Sequence, residues 1–156
     1  MLLAAFFLFA YLASASRHVL GGDCAEFALI YAEGGVPHPS GYPLYVAWLR
    51  STGWIPVSSP AWGASLATSI LGATGAWLLY AAGRAWGASR SGAATAASLF
   101  AFAPLMWTQS TQPEVFALHV LLANGIVAVA GPRHGLRTST RAFLVGLLAG
   151  AGLSNN

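Results

Sequence analysis

Lysine is absent from this 156-residue chain, cysteine occurs once, and only four residues are acidic. The lone Cys24 excludes an internal disulfide and any metal site built from several cysteines. All seven positive charges are arginines, scattered without a basic run. Despite a pI near 9.5, nothing here resembles a nucleic-acid-binding module, and no nucleic-acid partner is expected. Charged residues make up 7% of the chain, against about a quarter in soluble domains. There is no glycine-rich phosphate loop, HExxH pair or nucleophile elbow.

What the chain has instead is apolar length. Hydrophobic residues account for 56% of it and the mean hydropathy is +0.64, so the lipid bilayer is the partner the composition implies. A membrane-spanning helix needs about 20 mostly apolar residues. Ala64–Gly83 meets that without a charge, and Ser91–Thr108 and Val115–Gly131 are slightly shorter. Met1–Ser16 reads as a first helix, and RAFLVGLLAGAGL opens a further one at Arg141. Ala13-Ser14-Ala15 also fits a signal-peptidase site, but no basic residue precedes the apolar run and more spans follow. The expectation is an all-α, polytopic transmembrane helix bundle of about five spans. Residues 1–156 form a single domain in this reading, with Gly21–Pro60 as a first outer loop carrying a short interfacial helix. Gly72, Gly75, Ala93 and Ala97 supply the small surfaces on which membrane helices pack closely. Pro104 should kink its helix or mark its end.

The charges sort by side. Arg84 and Arg90 flank one connection, and Arg133, Arg137 and Arg141 fill another. Positive charge favours cytoplasmic connections, which puts Gly21–Pro60 and Gln109–Glu114 outside. All four acids then lie on the outer face, although Arg17 and Arg50 fall there too. The chain is expected in the cell (inner or plasma) membrane, with its acidic loops extracytoplasmic.

Three of the acids sit in one stretch, GGDCAEFALIYAEGGVPHPSGYPLY. Asp23 is a good N-cap and Glu26 can reach back to it as in a capping box. On one helix over Asp23–Gly34, Asp23, Glu26 and Glu33 fall near one face. A thin acidic stripe suits an interfacial helix and a polar cavity equally well. Thr111 and Glu114 read as a second capping box, with Pro113 in the first helical turn. Val36–Pro43 is a stiff turn, in which His38 and Tyr42 serve either as loop anchors or as contacts to a phosphate or sugar. His119 lies about a turn beyond Glu114, as a packed residue or a polar partner in the same cavity. Arg17 and His18 precede the acidic loop, where a cation meets an anionic headgroup or simply anchors the interface. Oxygen ligands from Asp23, Glu26 and Glu114 would suit magnesium or manganese, but no spacing demands a metal.

An apolar first helix followed by these motifs resembles the start of a bacterial family of multi-pass membrane proteins. That family is similar to the GT-C-type glycosyltransferases, which include protein O-mannosyltransferases. The resemblance rests on Gly22-Asp23 with Glu26-Phe27, on Gly35–Tyr45, and on Pro113–His119 (PEVFALH). The closing Gly152–Asn156 (GLSNN) is similar to the opening of a later family element. Cys24 stands where the pattern has serine, and Ser40 where it has proline. Such enzymes have eight or more spans, so the chain reads as the N-terminal portion of a longer protein, too short to act alone.

The resemblance implies transfer of a sugar, mannose among the candidates, from a polyprenyl-phosphate donor to an acceptor hydroxyl of a protein or glycan outside the membrane. Such transfer needs a base for the hydroxyl proton and a site for the leaving phosphate. Asp23 is expected as the base, with Glu26 orienting it or the acceptor and Glu114 closing the cavity. Arg17, His38, Tyr42 and His119 are candidates for substrate binding. The alternatives are a noncatalytic membrane remnant or assembly subunit, and a transporter element using its outer-face carboxylates.

Overall fold

The computed structural model describes residues 2–155, with the side chain of His134 left aside. The described residues are all-α, without a strand. The helices are α1 (Leu2–Ser14), α2 (Cys24–Glu33), α3 (Pro43–Thr52), α4 (Pro60–Ala85), α5 (Arg90–Ala101), α6 (Pro104–Thr111), α7 (Phe116–Ala130) and α8 (Thr138–Ser154), with a 3-10 turn at Pro132–His134.

The axis of the bundle is α4, 26 residues long and thus about 39 Å at 1.5 Å per residue. Its start is fixed locally. Ser59 accepts the Trp62 N–H at 3.3 Å, and Pro60 takes the first helical position, where a missing N–H costs nothing. Helices α1, α2, α5, α6 and α7 all pack on α4. Close approach is possible because its buried face is mostly Gly, Ala, Ser and Thr. A methyl group on Gly72 would collide with Ser110 of α6, and one on Gly75 would meet the Leu121 backbone nitrogen at 3.1 Å. In lipid, where apolar burial drives little association, such contacts are what hold helices together.

Two cores flank α4. Phe27, Tyr31, Tyr45 and Leu49 pack with Ala64, Leu71, Ala117 and Leu118, joining α2 and α3 to α4 and α7. Phe27 and Tyr45 meet edge to face at 4.9 Å. Phe7 and Tyr11 of α1 pack with Ala73, Ala76, Ala97 and Ala101. The Tyr11 hydroxyl donates to the Ala101 carbonyl at 2.7 Å, which satisfies a carbonyl in the last turn of α5.

The expected span Ser91–Thr108 is not one helix. Helix α5 ends at Ala101, and Pro104, which has no N–H to continue the ladder, opens the short α6. Among the described residues only α4 is by itself long and apolar enough to cross a membrane. Helices α6 and α7 meet that length together but are bent by 116°.

The charge segregation has a structural counterpart. At the C-terminal end of α4 the Arg84 guanidinium donates to the Ala88 carbonyl, and the Arg133 guanidinium lies against Gly87. The acid-bearing segments pack instead on its N-terminal half, where Tyr31 lies against Gly63 and Arg17 lies over Trp62.

Candidate active site

Helix α2 begins one residue after Asp23, but Asp23 has helical backbone angles and its carboxylate makes no capping bond. Glu26 does not reach back to it. The expected capping box is absent because Glu26 has a better partner, His38. One Glu26 oxygen accepts the His38 backbone N–H at 2.8 Å, and the other meets ring Nδ1 at 2.6 Å. The chain returns to this point through Gly34 and Gly35, whose φ angles of +85° and +116° are open to glycine. A side chain on Gly34 would also strike the Arg50 guanidinium.

With Nδ1 engaged by Glu26, the other ring nitrogen of His38 faces Asp23 and Tyr42. Nε2 lies 3.7 Å from Asp23 Oδ2 and 3.4 Å from the Tyr42 hydroxyl. All three ionisable side chains are partly open to solvent, with Asp23 at 49%. The hydrogen bond from His38 holds the Glu26 carboxyl below its ordinary range, against a smaller opposing effect of burial. The same bond raises the His38 pKa, aided by the charges of Asp23 and Glu26. The result is a histidine biased toward its cationic form beside one committed carboxylate and one that is open.

Glu114 approaches from the connection between α6 and α7. The expected Thr111–Glu114 capping box does not form either. The Thr111 hydroxyl bonds back to the Trp107 carbonyl at 2.9 Å, inside α6. Helix α7 starts two residues after Glu114, with Val115 at the cap position. Glu114 instead turns inward and is only 9% exposed. Its Oε1 lies 3.9 Å from Cys24 Sγ and packs against Gly22, where a Cβ would stand 3.7 Å away. Burial raises the Glu114 pKa, and the charge of Asp23 adds to the shift. Burial, then the Glu114 charge, pushes the Cys24 thiol up to about 11. Cys24 therefore stays a thiol at neutral pH and donates to Glu114.

The fold thus brings Asp23, Glu26, His38 and Tyr42 together and sets Glu114 behind them. It does not bring in Arg17, whose guanidinium stacks over Trp62, 5.1 Å from the ring centre. Glu33 is exposed and lines a cavity with Arg17. His119 stands on α7, with its Nε2 3.5 Å from the Asn155 amide nitrogen, and none of its hydrogen bonds reaches His38 or the acids. Among the described residues no group of three His, Cys, Asp or Glu side chains is placed to hold a metal, so the three carboxylates do not form one ligand set.

One residue of consequence is missing from the sequence-derived site. Asn155 is fully buried, and its side-chain oxygen accepts the Tyr45 N–H at 2.9 Å. Tyr45 is the third residue of α3, and Tyr42, at the cap position with φ +42°, supplies no side-chain cap. Asn155 fills that role from the end of α8 and ties the His38–Tyr42 turn to the bundle. The signals in the sequence are an amide pair after an apolar helix and the resemblance of Gly152–Asn156 to a family element, neither of which assigns Asn155 a partner.

Residues 23–154 match the family model described as the Protein O-mannosyl-transferase TMEM260 N-terminal domain. A stretch of 114 residues is 34% identical to the Protein O-mannosyl-transferase TMEM260 of Mus musculus, covering 72% of this chain and 16% of that protein. A stretch of 105 residues is 32% identical to the Protein O-mannosyl-transferase tmem260 of Dictyostelium discoideum, covering 65% of this chain and 13% of that one. The chain therefore spans a small part of these relatives' length. No solved structure matches it.

Proposed function

The chain belongs to the Protein O-mannosyl-transferase TMEM260 N-terminal domain family, and from that membership we propose that it forms the acidic wall of a membrane-embedded, GT-C-type glycosyltransferase site. The sugar is mannose, the donor a polyprenyl phosphate, and the acceptor a protein hydroxyl on the extracytoplasmic side. In this reading the bundle crosses the membrane about five times, with Arg84–Arg90 and Arg133–Arg141 inside and the acidic segments outside.

The observation that carries the proposal is the unequal state of the two carboxylates beside His38. Both oxygens of Glu26 are committed to that residue, so Glu26 is a poor proton acceptor. Asp23 has only a 3.7 Å approach to Nε2 and is half open to solvent. Asp23 therefore takes the proton from the acceptor hydroxyl. The hydroxyl oxygen bonds to the anomeric carbon of the sugar, the carbon–oxygen bond to the phosphate breaks, and the phosphate leaves with the electron pair. In its cationic form, which Glu26 favours, His38 donates to the departing phosphate through a charge-assisted bond. Tyr42 offers a second donor beside it. Glu114 closes the cavity from behind.

The test is Asp23→Asn in the complete protein, supplied with labelled polyprenyl-phosphate mannose and a protein acceptor. Loss of a general base lowers the rate about 10²- to 10⁴-fold. Transfer near the wild-type rate, with normal expression and insertion, overturns the assignment.

A further inference from the structure

Arg17 belongs to a different site from the one expected of it. It lies with His18 at the rim of a cavity of about 470 Å³ between the α1–α2 connection, α2 and the start of α4. The wall contributed by α2 is Ala25, Ala28, Leu29 and Ala32, a smooth apolar strip. Leu29 is 54% exposed and Val19, also lining the cavity, 56%. This is a different flank of α2 from the one that carries Glu26 to His38.

Arg17 has no acidic partner within ion-pair distance, since the ion pairs among the described residues join His38 to Asp23 and Glu26. Its guanidinium is nevertheless held in place. The ring of Trp62 lies beneath it, and its backbone carbonyl accepts from Ser59 at 3.3 Å. An arginine stacked on an aromatic face keeps its donors free at the edge of the plane. A preorganised cation without an ion-pair partner, beside an apolar strip of α2, matches an amphiphile with an anionic head and hydrocarbon tail. Glu33 also lines the cavity, and its charge disfavours a second anionic group there.

We propose that this cavity binds an anionic phospholipid of the surrounding bilayer, its phosphate on Arg17 and His18 and an acyl chain along Ala25, Ala28, Leu29 and Ala32. The occupant is bilayer lipid, not the sugar donor. The donor's phosphate must reach the Asp23–His38 group, and Arg17 is not part of it.

The test uses the complete protein in neutral detergent, with phosphatidylglycerol or phosphatidylcholine added and retention read by native mass spectrometry and thermal unfolding. Phosphatidylglycerol is expected to be retained and to raise the unfolding temperature more than phosphatidylcholine does. Arg17→Gln should weaken phosphatidylglycerol retention about fivefold, the value of one arginine at an anionic surface. Ala32→Leu, at an exposed position, narrows the strip without altering charge and should weaken retention as well. Should Arg17→Gln fail to fold, Ala32→Leu and the preference between the two lipids still decide. Equal retention of both lipids, or full retention by both variants, overturns the proposal. Stoichiometric displacement of phosphatidylglycerol by polyprenyl phosphate also overturns it and makes the donor the occupant. None of these readouts depends on sugar transfer, so the site stands or falls apart from the transferase assignment.

Discussion

Glu26 holds His38 by two hydrogen bonds, from the backbone N–H at 2.8 Å and from the ring at 2.6 Å. The first fixes the fold of the returning turn and the second biases the ring toward its cationic form. One carboxylate therefore sets both where the imidazole stands and which protonation state it favours.

This pairing predicts a pH window. The folded-state pKa of Glu26 is lowered, so its contribution is present above the ordinary carboxylate value of about 4.3 and is lost as pH falls through the lowered value. The folded-state pKa of His38 is raised, so its contribution is full below about 6.5 and is lost as pH rises through the raised value. Unfolding temperature should plateau between about 4.3 and about 6.5 and fall away on either side, toward the lowered Glu26 value in acid and the raised His38 value in base. In Glu26→Gln, the His38 ring followed by NMR should titrate at lower pH than in the wild type, and the plateau should shrink. An unchanged midpoint would refute the pairing.

A second prediction concerns Glu114. Burial raises its folded-state pKa, the reverse of the usual carboxylate case. The fold favours the protonated acid, so stability declines as pH climbs from the unfolded carboxylate value through the raised one. Glu114→Gln keeps an oxygen to accept from Cys24 and removes the buried charge. The variant should match the wild type in acid and equal or exceed it at neutral pH, by thermal unfolding. A variant less stable at neutral pH would show that a partner compensates the charge.

Asn155 carries a third. Asn155→Ala leaves the buried Tyr45 N–H without an acceptor, a loss of about 1–3 kcal/mol. Hydrogen exchange at the Tyr45 amide should accelerate selectively. Asn155→Asp restores an acceptor but places a charge in a fully buried position. It should rescue stability in acid, where the side chain is neutral, and fail at neutral pH. Equal behaviour of the two variants at every pH would rule out the capping role.

The parts of this fold that the sequence makes legible are those decided within a few residues. Apolar run length predicts α1, α4, α7 and α8, and Pro104 predicts the break before α6. Helix α2 falls where Asp23–Gly34 suggests. Local logic fails where a distant partner outbids the near one. Glu26 abandons Asp23 for His38, 12 residues on. Glu114 leaves the start of α7 for Cys24, 90 residues away in sequence. Arg17 goes to Trp62 instead of the acids, because the α1–α2 connection runs along the start of α4. Helix α3 begins in a proline-rich turn and receives its cap from Asn155, 110 residues away. No periodicity in one chain reveals that bond. Of the residues for which the family resemblance implies a role, Asp23, Glu26, His38 and Tyr42 do gather around one ring, whereas Arg17 and His119 lie elsewhere.

The last prediction separates two kinds of glycine. Gly72 is buried on α4, and a Cβ there would fall 2.5 Å from the Cβ of Ser110. Serine is too short to swing aside, so α6 itself must move. Overpacking of that kind costs about 1–3 kcal/mol. Gly150 lies inside α8 with nothing within 4 Å of the added carbon, so alanine there reduces only the backbone entropy lost on folding. Gly150→Ala should stabilise by about 0.5–1 kcal/mol while Gly72→Ala destabilises. The order is read from unfolding temperatures of the two variants in the same detergent. Since Ser110 and Glu114 share the segment that α6 positions, Gly72→Ala should also expose Cys24 to thiol-reactive probes, whereas Gly150→Ala should leave it protected. A Gly72→Ala variant with wild-type stability and a protected Cys24 would show that α4 and α6 do not depend on this contact.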